Sequence, residues 1–182
     1  MLAETFPPAS PTLFGAAISW FPDRIHIAIV VRGLPGGPHS LAVLSQETGA
    51  RRALTNPSPN GLGDTVVAVS PDGRRVAFAR TGLARTPFSD IYVVEVPGDF
   101  SAKDGPRRLV ANQSAPVLLT WMPDGDAIIF SSGGNLWRMS VTGGETRAPE
   151  RLTLAGGQAA DPPLTRAAAR STARREHVEH AS

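Results

Sequence analysis

Three times along the chain an apolar run meets a Pro-Asp pair and is answered by a second apolar run. The clearest copy is Val66-Val67-Ala68-Val69-Ser70, then Pro71-Asp72-Gly73, then Val76, Phe78 and Arg80 alternating with Arg75, Ala77 and Ala79. Runs of β-branched residues and period-two alternation predict two strands. Between them Pro71 presets φ, Asp72 can bond its own backbone and Gly73 suits a position with φ > 0, so the pair is a hairpin. The first copy runs from Ala17-Ile18-Ser19-Trp20 through Pro22-Asp23 to Ile25–Val31. Arg24 stands there in the glycine's place, so this turn is expected to be degenerate or built differently. The third copy runs from Val117-Leu118-Leu119-Thr120-Trp121 through Pro123-Asp124-Gly125 to Ala127–Ser131.

Two further strands follow each hairpin. The third strands are Ser40–Leu44, Asp90–Val96 and Asn135–Met139; the fourth end in Arg51–Thr55, Pro106–Val110 and Glu150–Thr153. Pro22, Pro71 and Pro123 stand 49 and 52 residues apart. Four strands per unit at that period are the pattern of a β-propeller blade. The expectation is an all-β chain of about three blades, an incomplete ring. A Pro-rich lead-in spans 1–13, the blades 14–56, 63–111 and 115–154 within a propeller segment 14–160, and an Ala/Arg-rich tail 161–182. Trp20, Phe78, Tyr92, Trp121, Phe130 and Trp137 are expected to form the inter-blade core. Pro22, Asp23, Pro71, Asp72, Gly73, Pro123, Asp124 and Gly125 are expected to be structural turn residues.

The repeats resemble those of TolB-type β-propellers. The likeness lies in Ser70-Pro71-Asp72-Gly73-Arg74-Arg75-Val76-Ala77-Phe78, Asp90-Ile91-Tyr92-Val93 and Arg107-Arg108-Leu109. It continues in Trp121-Met122-Pro123-Asp124-Gly125 and Asn135-Leu136-Trp137-Arg138. The resemblance implies antiparallel four-stranded blades around a central channel. Its relatives number about six blades, so three imply either part of a longer propeller or two copies pairing across a two-fold axis to complete the ring. It also implies three settings: a periplasmic TolB-like protein, the propeller of a serine peptidase, or the sensory part of a bacterial regulator or kinase. The expected function is a non-enzymatic scaffold for a protein or peptide partner. The alternative is a propeller fragment of a dipeptidyl- or acylaminoacyl-peptidase without its catalytic domain.

Composition narrows the chemistry. Gly 18 and Pro 17 in 182 residues favour many turns and short strands over long helices. Cysteine is absent, so there is no disulfide framework or thiolate. No apolar run nears a membrane span. The start carries Glu4 and a proline-broken apolar stretch rather than an export signal, which predicts a cytoplasmic chain as written, or a periplasmic one if residues precede Met1. Of 18 basic residues only Lys103 is not Arg, and they are scattered, so nucleic acid is not the expected partner. No Gly-x-Ser-x-Gly elbow or phosphate loop occurs; Gly61-Leu62-Gly63 is expected to be a turn. His177 and His180 have ligand spacing but no accompanying framework, and no metal or other cofactor is expected. Asp23, Asp72 and Asp124 recur at one repeat position, which suits turn bonding rather than general acid–base work. The pattern stops after Leu164, as a lost reading frame would leave it.

Overall fold

The computed structural model describes residues 18–33, 37–82, 88–102, 104–114, 116, 118–142 and 148–152. The lead-in, the tail with His177 and His180, Lys103 and Val117 lie outside them. The described residues form twelve strands and no helix, so no helix is long and apolar enough to cross a membrane. They make three four-stranded antiparallel sheets, each in simple sequential order. The first is β1 (Ile18–Trp20), β2 (His26–Val31), β3 (Ser40–Ser45) and β4 (Arg51–Ala53). The second is β5 (Gly63–Val69), β6 (Arg75–Thr81), β7 (Phe88–Glu95) and β8 (Arg107–Ser114). The third is β9 (Leu119–Trp121), β10 (Ala127–Ser132), β11 (Asn135–Ser140) and β12 (Glu150–Arg151). The fold is thus all-β, in blade-like sheets that do not close a ring.

The core lies between sheets, and this explains the alternation. On β6 both faces are buried, so period two separates large from small side chains rather than apolar from polar. Val76 and Phe78 face the first blade and pack with Phe21, Leu41, Val43 and Leu54. Ala77 and Ala79 face the third and leave room, beside Ala68, for Leu119, Trp121 and Phe130. Phe78 and Phe130 are wholly buried and Trp121 is nearly so. Tyr92 and Trp137 are half-buried and pack on the first and second junctions respectively. Trp20 departs from the expectation: it is 52% exposed, because it stands on the first blade's face turned away from the second.

Other departures are local. Gly63 is not a turn residue but opens β5, at φ 88°, where a Cβ would lie 2.2 Å from the His39 carbonyl oxygen. That close approach lets His39 N–H donate to Leu62 O and Asp64 N–H donate to His39 O, each at 2.8 Å. Val66 takes φ 42° at a bulge between Thr65 and Val67, which the plain alternation does not show. β8 runs on to Ser114, beyond the Val110 end expected.

Candidate functional site

The three Pro-Asp turns share one geometry. Backbone N–H groups of Arg24, Gly73 and Gly125 donate to Phe21, Ser70 and Met122 carbonyls at 3.1, 2.9 and 2.9 Å, closing four-residue loops. Their φ angles are 62°, 70° and 74°. Arg24 therefore adopts the same left-handed conformation as the glycines, and the first turn is not built differently. Each aspartate accepts from the backbone two residues on: Asp23 from Ile25 at 2.9 Å, Asp72 from Arg74 at 3.0 Å, Asp124 from Asp126 at 2.9 Å.

The first two turns come together at one end of the sheets. Pro22 and Asp23 from the first blade and Asp72 and Gly73 from the second line a groove of about 560 Å³. Its remaining walls are Phe21, Arg74, Glu95 and the segment Val96-Pro97-Gly98 with Phe100. Pro71 packs instead toward Gly125 at the second junction, and Pro123 and Asp124 lie in the third turn, outside this groove. Phe100 meets Phe21 edge-on at 5.2 Å and the His26 ring at 4.2 Å. Beyond it lies a second hollow of about 430 Å³, lined by His26, Glu47, Arg51 and Arg52 among others. Arg52 ties the Phe100 loop down by donating to Asp99 O.

Fixed charges face this groove. Burial alone would raise the Asp23 carboxyl, but N–H groups of His26 and Ile25 and the His26 ring outweigh it and hold Asp23 below the usual carboxylate range. The His26 Nδ1 to Asp23 Oδ2 separation is 2.7 Å. For Asp72 the Ser70 hydroxyl is the main cause, at 2.5 Å. It works against burial and is joined by the Arg74 N–H and the charges of Arg75 and Arg74, and the carboxyl again lies low. Among the described residues, no group of three or more His, Asp or Glu is placed to hold a metal.

At the opposite end of the blades sits a group that sequence patterning leaves without a role. Asp64 is wholly buried. It receives Arg80 Nε at 2.6 Å and Nη2 at 3.2 Å, and the Thr55 hydroxyl, which itself accepts from Leu41 N–H at 2.8 Å. The Arg80 guanidinium also lies over the Tyr92 ring at 5.0 Å and the Phe78 ring at 5.3 Å. It is a clamp between the first and second blades, with every buried side-chain polar atom among the described residues satisfied. The groove residues Glu95, Val96 and Phe100 were likewise not picked out by sequence. The one signal was a lone phenylalanine in an otherwise Gly/Asp/Ser loop.

No protein-family model matches the chain. Solved structures do. TolB from Acinetobacter baumannii is similar at 23% identity and TM-score 0.58, over 78% of this chain and 32% of that one. Puromycin hydrolase is similar at 23% identity and TM-score 0.60, over 76% of this chain and 23% of that one. The β-propeller domain of the trilobed protease from Pyrococcus furiosus, whose ring has an open velcro topology, is similar at 16% and TM-score 0.54, over 77% and 43%. At these identities the likeness shows the fold alone: blades of a β-propeller. This chain spans about a third of the TolB chain's length.

Proposed function

We propose that the chain is a non-enzymatic propeller segment that binds an extended peptide or protein loop across the turn end of its first two blades. It would serve as the interaction or sensory part of a larger bacterial protein. The observation that carries this reading is the groove: apolar walls of Phe21, Pro22, Val96, Pro97 and Phe100 flanked by Asp23, Asp72 and Glu95, with Arg74 the cation on its wall. Apolar surface with a few fixed charges is what a short peptide segment recognises. The balance of charge favours a segment with a basic side chain beside an apolar one. The aspartates here hold turns, and a carboxylate already engaged by two N–H groups suits electrostatic recognition better than proton transfer.

The test is selection of random peptides on the full chain, followed by titration of an enriched peptide. Binding weakened by about tenfold or more in both Phe100→Ala and Glu95→Lys supports the proposal. Enriched peptides that bind both variants as well as the parent would overturn it. So would hydrolysis of aminoacyl substrates by the chain.

A further inference from the structure

The two blade junctions share an outer-strand arginine but differ at the inner strand, where Val69 N–H donates to the Ser19 hydroxyl at 3.0 Å in the first. At the second, Trp121 donates from Nε1 to the Ala68 carbonyl on the preceding blade's inner strand, at 3.0 Å. At each, an outer-strand arginine reaches a backbone carbonyl of the next blade: Arg52 to Asp99 O, and Arg107 Nη2 to Val141 O at 3.0 Å. Register makes these equivalent, since Arg52 pairs with Val43 and Arg107 with Val93.

The same register sets Trp20 in the place of Trp121. Trp20 aligns with Ile27 and then Leu44 across the first sheet, as Trp121 aligns with Ile128 and then Met139 across the third. Yet Trp20 is 52% and Ile18 60% exposed, on the face turned away from the second blade. The first blade therefore presents, uncovered, the aromatic and branched side chains whose counterparts Trp121 and Leu119 the second junction buries.

The far face of the third blade does not carry its complement. Where the first two blades have Val43 and Val93 it has Arg138, and where they have Arg52 and Arg107 it has Glu150. Arg138 Nη1 stands 3.9 Å from Glu150 Oε2. A second copy docking that face on Trp20 would bury Arg138 against apolar side chains and would bring Glu150, not an arginine, at the outer-strand position.

We infer that the Ile18–Trp20 face binds a further propeller-type sheet with the chemistry the second blade shows to Trp121, and not the third blade of a second copy. That chemistry is small side chains on the inner strands, an inner-strand carbonyl to accept the Trp20 indole N–H, and an arginine on the outer strand.

The probe is an extra copy of residues 57–114, the second blade. One fusion carries it ahead of the full chain and another behind it. Hydrogen exchange of the indole N–H groups is read in each, with Trp20→Phe identifying that signal and Trp121 reporting that the existing junction is folded. In the unfused chain the Trp20 indole should exchange at least about tenfold faster than that of Trp121, and the forward fusion should slow it about tenfold while the rear fusion leaves it unchanged. Equal protection by both fusions, or none by the forward one, overturns the inference. Loss of Trp121 protection in the forward fusion counts against it equally. Protection of Trp20 in the unfused chain that rises with protein concentration would make the occupant a second copy and overturn it too. This test does not involve the turn-end groove, so its outcome is independent of peptide binding there.

Discussion

Pro22 of the first turn packs on Gly73 of the second: a Cβ added at Gly73 would meet Pro22 Cδ at 3.0 Å. The contact recurs one blade on, where a Cβ at Gly125 would lie 3.9 Å from Pro71 Cδ and 3.4 Å from Arg75 Nη2. The Pro-Asp-Gly turn is thus an inter-blade contact as well as a hairpin closure. Both glycines sit at positive φ, so any substitution is strained, but only at Gly73 is there also a rigid ring in the way. Gly73→Ala should lower stability by about 1–2 kcal/mol and Gly125→Ala by about 1 kcal/mol, with Gly73→Val worse than either. Urea unfolding midpoints order the three. Equal losses at the two glycines would mean that the Pro22 contact adds nothing.

Arg24 gives the converse prediction. It holds φ 62° without being glycine, and left-handed backbone disfavours a Cβ. Its carbonyl accepts from Gln46 Nε2 at 3.1 Å, a bond that a side-chain change leaves in place. Arg24→Gly should therefore raise stability by about 0.5–1 kcal/mol, after allowance for glycine's greater freedom in the unfolded chain. A lowered thermal midpoint would show that the arginine side chain makes a contribution larger than its backbone strain.

The Asp64 clamp predicts a large and coupled effect. Arg80→Leu leaves a wholly buried carboxylate with only the Thr55 hydroxyl and so should cost about 3–5 kcal/mol. Asp64→Leu removes the partner of a guanidinium that still lies on the Tyr92 and Phe78 rings and keeps some solvent, so its loss should be smaller. The double variant should be less damaging than the two losses added, because neither charge is then stranded. A double-mutant cycle that closes to zero would disprove the coupling.

These residues mark what was legible in the chain. Pro, Asp and Gly act through their own backbone, so the turns and the period of the blades could be read locally, and with them the fold class. Burial of an aromatic is a different matter, because it depends on which sheet stands beside it. Trp20 and Trp121 occupy the same repeat position, and only the second has a preceding blade against it among the described residues. The Asp64 clamp joins residues from two blades with no common motif, and Phe100 enters the groove from a loop whose composition reads as solvent-facing. Nothing periodic announces such meetings.

Dependence on pH should fall in two separate windows. Burial, helped by the Arg32 charge and opposed by Asp64, holds the His39 imidazole below its ordinary value. A histidine with a depressed folded pKa binds its proton first in the unfolded chain, so the stability it contributes is present above about pH 6.5 and is lost as pH falls from there toward the folded value. Asp23 and Asp72 are also held low, by the N–H, hydroxyl and charge contacts of their turns. For carboxylates that sign means stability present above the unfolded value near about pH 4 and lost as pH falls through the folded values. Unfolding free energy should therefore step down once as pH falls below about 6.5 and again below about pH 4. His39→Gln should flatten the first step and leave the second. Asp23→Asn should leave the first step and shrink the second to the share of Asp72, since its backbone-accepting oxygen survives while its titration is gone. A first step that persists in His39→Gln would place the titrating group elsewhere.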